Sequence, residues 1–185
     1  MLEKLIGFDE QILLWIQENV RTDLLTPIVK VITYSGNGGL MMIAVTLTLI
    51  FIPKTRRLGI LCAAALVINT VICNLILKNL VGRIRPYEVI DGLHLMIGKQ
   101  NDSSFPSGHS SAGFSVGTVI LRETPRKIGI PVLLFALLIA LSRLYVGVHY
   151  PTDVICGMLL GAAVGFFTCT VYHRCILKSH ERLHR

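Results

Sequence analysis

Five apolar runs limit what this chain can become: Asn37–Ile52, Leu58–Leu77, Ser107–Leu121, Ile128–Val146 and Thr152–Tyr172. A helix rises about 1.5 Å per residue, so about 20 apolar residues cross a hydrocarbon layer of roughly 30 Å. The first and third runs are short of that; the others reach or approach it. With 52% hydrophobic and 16% charged residues, the 185-residue chain is too apolar for a soluble domain. It is expected to be all-α: a polytopic membrane helical bundle of five spans, folded as a single domain over residues 1–185 with no internal repeat or linker.

Two shorter segments precede the first run. Phe8–Val20 sets Ile12, Leu13, Ile16 and Val20 against Asp9, Glu10, Gln17 and Glu18, an amphipathic pattern whose Trp15 suits the headgroup layer. Asp23–Tyr34 is apolar but short, carries Pro27 and Lys30, and ends at the turn signal Gly36-Asn37-Gly38-Gly39. Residues 1–36 are therefore assigned to interfacial helices, the second interfacial or re-entrant, with a sixth span as its rival. MLEKLIGFDE lacks a basic stretch followed by an apolar one, so no cleaved signal peptide is expected.

The formal charge of +7 raises the question of nucleic acid, but its distribution answers it. Alternate span ends place Lys54, Arg56, Arg57, Arg122, Arg126, Lys127, Arg174, Lys178, Arg182 and Arg185 on one side, against Glu123 and Glu181 only. The other side mixes Lys4, Arg21, Lys30, Lys78, Arg83, Arg85, Lys99 and Arg143 with the remaining acids, among them Asp9, Glu10, Glu18, Asp23, Glu88, Asp91 and Asp102. By the positive-inside rule the first side is cytoplasmic, and the Arg122–Lys127 turn is an anchor there. The five cysteines show no CxxC spacing and read as packing residues, not as a metal or disulfide framework.

Three polar stretches fall at the extracytoplasmic ends of apolar runs: KNLVGRIRP (78–86), FPSGH (105–109) and SRLYVGVHYPTD (142–153). Thr70, Asn74 and Lys78 recur every four residues and share a helix face, which must meet protein or water because a lysine at bilayer centre costs about 2.5–3.5 kcal/mol. Asn69 and Asn74 are read as interhelical hydrogen-bonding groups. Lys78, Arg83, Arg85 and Arg143 are four cations, for which these stretches offer only Asp153 as counter-charge; such a cluster calls for an anion, and arginine forks with a lysine suit phosphate. The start of a helix at Ser107-Gly108 adds free N–H groups. His149 and Asp153, four apart, allow the carboxylate to fix one ring nitrogen and leave the other as a nucleophile, while His109 arrives on a different helix as acid and then base. No DxD, HExxH or carboxylate cluster is present, so neither metal nor other cofactor is expected. The Pro86–Ser104 loop is expected to cover the site or shape its approach, with His94 an ordinary surface histidine. Gly157, Gly161, Ala162 and Gly165 are expected to pack within the bundle in preference to self-association.

These stretches resemble the type 2 phosphatidic acid phosphatases, with which vanadium haloperoxidases and glucose-6-phosphatases share an active-site pattern. The motifs K-x6-RP, PSGH and SR-x5-H-x3-D are matched by Lys78, Arg85 and Pro86, by Pro106, Ser107, Gly108 and His109, and by Ser142, Arg143, His149 and Asp153. The resemblance covers about residues 58–167. It implies phosphate binding by Lys78, Arg85, Arg143, Ser107 and the Gly108 backbone, a phosphohistidine on His149, orientation by Asp153, and acid–base work by His109. Arg83 and the N-terminal helices lie outside the pattern. The expected protein is a bacterial lipid phosphatase of the cytoplasmic membrane with its site on the outer face. Undecaprenyl diphosphate is the first-choice substrate and phosphatidylglycerophosphate or phosphatidic acid the alternatives; a non-catalytic lipid-binding or transport protein is the rival class.

Overall fold

A computed structural model describes residues 2–183; Arg185, counted above among the cytoplasmic cations, lies outside them. Among the described residues the regular elements are helical: α1 (Leu2–Asn19), α2 (Leu25–Ser35), α3 (Leu40–Phe51), α4 (Arg56–Thr70), α5 (Lys78–Val81), α6 (Pro86–Val89), α7 (Gly108–Glu123), α8 (Arg126–Tyr145) and α9 (Pro151–Leu183). A π-helical stretch, Val71–Leu77, joins α4 to α5. Three stretches are long and apolar enough to cross a membrane alone, Arg56–Val89, Arg126–Tyr145 and Pro151–Cys175. As a pair bent by 54°, α2 and α3 make a fourth. The eleven residues of α2 reach only about 17 Å, too short for a sixth span by itself.

Expected as a span in its own right, α7 has 16 residues and is shorter than the three long apolar stretches. Its surroundings explain how it carries so much polarity. It sits at the centre, packed against α9, α8 and α4, with Ser110, Ser111, Ser115, Val116 and Val119 buried. The serine hydroxyls bond within the protein, as Ser115 does to the Ala112 carbonyl at 2.9 Å, so α7 needs no apolar face toward lipid. That task falls to the outer helices: Leu134, Leu138 and Leu141 on α8 and Leu159, Phe166 and Phe167 on α9 are exposed. The chain is a multi-pass membrane bundle turned apolar side outward.

The contact between α7 and α9 is the closest in the bundle. At Gly157, Gly161 and Gly165 a Cβ atom would run into the carbonyl oxygens of Ser107, Ser111 and Ser115 respectively. Both series step by four residues, so two rows of one helical face meet backbone to backbone. The small residues of α9 thus pack within the bundle, as expected. Cys62, Cys73 and Cys169 are buried free thiols.

In α1, Phe8 and Trp15 are exposed as an interfacial helix requires, but the helix is also docked on protein. Leu13 is buried against Ile90, Leu93 and Tyr150, and Asp9 is 1% exposed. At the opposite end of the bundle Arg57 pairs with Glu123 at 3.1 Å and stacks on Tyr172. The motif residues and the basic anchors therefore occupy different ends, as the charge pattern requires.

Replacing Gly161 by alanine is expected to destabilise the bundle by about 1–3 kcal/mol, the usual range for overpacking a core. A thermal unfolding midpoint in detergent equal to that of the unaltered protein would contradict the close approach.

Candidate active site

Turns and helix starts bring the motif residues to one end of the bundle. Gly82, at φ 60°, ends α5 and releases Arg83 and Arg85 in an extended segment before Pro86 starts α6. Ser107 caps α7 by accepting from the Ser110 N–H at 3.4 Å, and its own N–H donates to the Asp153 carbonyl at 3.0 Å. Gly147, at φ 79°, turns the chain at the end of α8, and the Val148 N–H returns to the Arg143 carbonyl at 3.2 Å. That reversal sets His149 beside Arg143 just before Pro151 begins α9, whose first turn carries Asp153.

All eight expected site residues are gathered by these turns. Lys78, Arg85, Ser107, Arg143, His149 and Asp153 are buried; Gly108 and His109 are partly so. His109 is near enough to Arg143, His149, Lys78 and Arg85 for their charges to act on it. It lies in the wall of a cavity of about 360 Å³ together with Thr70, Asn74, Lys78, Asp102 and Gly108, so the polar stripe of α4–α5 does face a shared space. Asn69 donates to the Ser111 hydroxyl at 3.1 Å, an interhelical bond as expected.

The charge balance differs from the expectation. Lys78 and Arg85 share a carboxylate, that of Asp102 in the loop before α7; Arg85 reaches it at 2.6 Å and also donates to the Asp102 and Val148 carbonyls at 2.8 Å. Arg83 pairs with Asp153 at 2.7 Å and with Asp9 at 2.8 Å. Four cations thus meet three carboxylates, not one. Arg143 is the exception. It is fully buried, donates from Nη1 to Thr33 Oγ1 at 2.6 Å, and holds its Nε and Nη2 groups without a partner. Burying a charged donor without a partner is costly, so Nε and Nη2 are free to donate to an acceptor from outside the protein.

The histidine–aspartate pair also departs from the expected direct contact. Asp153 Oδ2 lies 3.6 Å from His149 Nδ1, beyond hydrogen-bonding distance, and accepts from the Tyr150 N–H at 3.0 Å. Ser104 stands between them, its hydroxyl donating to Asp153 Oδ2 and lying 3.4 Å from Nδ1. On the other wall His109 Nε2 is 3.4 Å from Asn37 Oδ1. Asp102, Ser104, Thr33, Asn37 and Asp9 were not singled out as site residues; each is a lone polar residue outside the motifs, Asp9 within α1 and the others in a loop or near a helix end, and only Asp102 and Ser104 had a signal, their place in a long loop beside the second motif. His94 is exposed, as expected.

Burial pulls the His149 imidazole down to about 4; Asp153 opposes this while Arg85 and Arg143 add to it. Burial alone would raise Asp102, but Lys78 and Arg85 outweigh it and hold the carboxyl down at about 2. Across neutral pH the site therefore holds a neutral imidazole among cations, a combination suited to binding an anion and attacking it.

A membrane-embedded bundle with buried cations and a neutral histidine at one end has the makings of a phosphatase. Residues 57–177 match the PAP2 superfamily, and the chain belongs to it as a phosphatase of that type. It is 32% identical over 141 residues to the undecaprenyl-diphosphatase of Sulfolobus acidocaldarius, covering 76% of this chain and 68% of the relative. It is 36% identical over 108 residues to the undecaprenyl-diphosphatase BcrC of Bacillus subtilis, covering 58% of this chain and 52% of that one. The chain thus spans between half and two thirds or so of these relatives. Its fold is similar to the crystal structure of a transmembrane PAP2-type phosphatidylglycerolphosphate phosphatase from Bacillus subtilis, with a TM-score of 0.75 at 23% identity over 92% of this chain and 87% of that one.

In a histidine-labelled NMR titration His149 is expected to stay neutral as pH falls through 6 and to charge only near about 4, because its value is depressed. A midpoint near the ordinary 6.5 of a free imidazole would contradict the burial and cation contacts.

Proposed function

We propose that this protein hydrolyses undecaprenyl diphosphate to undecaprenyl phosphate and orthophosphate. The observation that carries the reading is the buried Arg143 with two unpartnered N–H groups beside Lys78, Arg85 and a neutral histidine. Phosphate oxygens accept from such a fork in a bidentate manner. The polyprenyl substrate rests on the names of the two undecaprenyl-diphosphatases among the relatives.

In this mechanism Lys78, Arg85, Arg143, Ser107 and the Gly108 N–H hold the terminal phosphate at the start of α7. The lone pair of His149 Nε2 attacks phosphorus, and the bond to the bridging oxygen breaks. Asp153, with Ser104 between it and Nδ1, stabilises the charge that the ring acquires. His109, whose proton affinity rises beside a bound phosphate dianion, protonates the leaving oxygen. It then takes a proton from water as that water attacks the phosphohistidine and frees orthophosphate. No metal ion is needed. The lipid tail enters sideways between α3 and α4, along the cavity bordered by Ile43 and Leu66. The charge asymmetry of the loops supports a site on the outer face of the cytoplasmic membrane.

Orthophosphate release by purified protein from undecaprenyl diphosphate, phosphatidylglycerophosphate and phosphatidic acid tests the assignment. Preference for the polyprenyl substrate is expected, unchanged by chelator; preference for a glycerolipid, or activity restored by Mg2+ after chelation, overturns the corresponding part. His149→Ala is expected to abolish release, and His109→Ala to slow it by about 10²–10⁴-fold. Because Asp102 competes with phosphate for Lys78 and Arg85, Asp102→Asn is expected to tighten inhibition by orthophosphate about fivefold, the equivalent of ~1 kcal/mol for a half-exposed ion pair. Weaker inhibition would mean that Asp102 supports phosphate binding.

A further inference from the structure

Arg83 belongs to none of the three motifs, yet both of its terminal nitrogens are engaged at the back of the site. Nη1 donates to Thr152 Oγ1 and Asp153 Oδ1, both at 2.7 Å, and Nη2 donates to Asp9 Oδ2 at 2.8 Å. Its planar head lies 3.7 Å from the centre of the Tyr150 ring, which closes off one face. These contacts turn Arg83 away from phosphate and toward the carboxylate behind His149.

Asp9 completes the arrangement from α1. Its Oδ1 accepts the Thr152 N–H at 3.1 Å, an otherwise unpaired donor in the first turn of α9, and its Oδ2 accepts the Thr152 hydroxyl. Asp9 is 1% exposed and Asp153 fully buried. One helix thus caps another through a carboxylate, and one arginine bridges the cap to the residue behind His149. Without Arg83, Asp9 and Asp153 would be two buried carboxylates flanking Thr152 with no cation between them, so Asp153 would rotate away or take up a proton. Without Asp9, both the cap and one side of the Arg83 clamp are lost.

We propose that Arg83 and Asp9 are positioning residues for hydrolysis: the Asp9–Arg83 pair fixes Asp153, and through it His149, in the geometry of attack. This makes α1, which lies outside the motif-bearing region, part of the catalytic apparatus. The inference rests on His149 being the nucleophile.

The test compares kcat and KM of the full chain, purified in detergent, for undecaprenyl diphosphate hydrolysis in Arg83→Gln, Arg83→Lys, Asp9→Asn and the double variant Asp9→Asn/Arg83→Gln. His149→Ala is the control, and thermal midpoints are recorded alongside. Arg83→Gln is expected to lower kcat by about 10²-fold, the scale of a misaligned reacting group, with KM within about twofold. Arg83→Lys, which keeps the charge, should recover much of that loss. Asp9→Asn should lower kcat to a smaller degree, and the double variant should exceed Arg83→Gln because only one buried carboxylate then needs a partner.

A raised KM at unchanged kcat would make Arg83 a substrate ligand and overturn the proposal. So would wild-type kcat in Arg83→Gln or Asp9→Asn, including the case in which only the thermal midpoint falls, which is the signature of a purely structural clamp. If Arg83→Gln does not fold, Asp9→Asn and Arg83→Lys decide by the same criteria. Turnover persisting in His149→Ala would instead remove the nucleophile assignment, an outcome distinct from any of these.

Discussion

The bundle depends on the distance between two helices. Gly157, Gly161 and Gly165 let α9 settle on the carbonyl row of Ser107, Ser111 and Ser115, and no side chain larger than hydrogen fits between them. This approach brings the Ser107 N–H within 3.0 Å of the Asp153 carbonyl, so the start of α7 is tied to the start of α9. The capped start of α7 and the histidine–aspartate pair are therefore positioned by one contact. It also explains the polarity of α7. A helix enclosed by α4, α8 and α9 can carry a serine face because protein, not lipid, satisfies it.

Electrostatics at this end is close to neutral by construction. Arg83 is held between two carboxylates, Lys78 and Arg85 share Asp102, and only Arg143 retains open donors. The three arrangements do different work. Arg83 has no freedom to leave its partners, whereas Asp102 has a side chain more than half exposed and can give up its place to a stronger anion. Arg143 needs no exchange at all. In the proposed reaction a phosphate would thus meet one cation already open and two that become open as Asp102 withdraws.

The helical class, the two-ended charge pattern and the gathering of the eight expected site residues were legible because they rest on local periodicity and fixed spacing. Gly161 was legible as a packing residue for the same reason. The number of crossings was less so: the short third run is a central helix walled by protein, and composition cannot distinguish a lipid neighbour from a helix neighbour. The supporting residues were not legible. Asp9 and Thr152 are 143 positions apart, Thr33 and Arg143 are 110 apart, and Ser104 and His149 are 45 apart. No pattern within a window of sequence registers such pairs. Each is a single polar residue whose meaning comes from what the fold sets opposite it.

The bond between Asp9 and Thr152 also bears on assembly. It joins α1 to α9, the first and last of the described helices, so it can form only after every intervening helix has been made. Contacts of such long sequence separation are the last to be rewarded during folding. A nascent chain that has reached α8 holds Asp9, Lys78, Arg83 and Arg85 but not yet Thr152 and Asp153, which Asp9 and Arg83 bind. The clamp around Asp153 is thus completed only when α9 packs, with α1 as its latch.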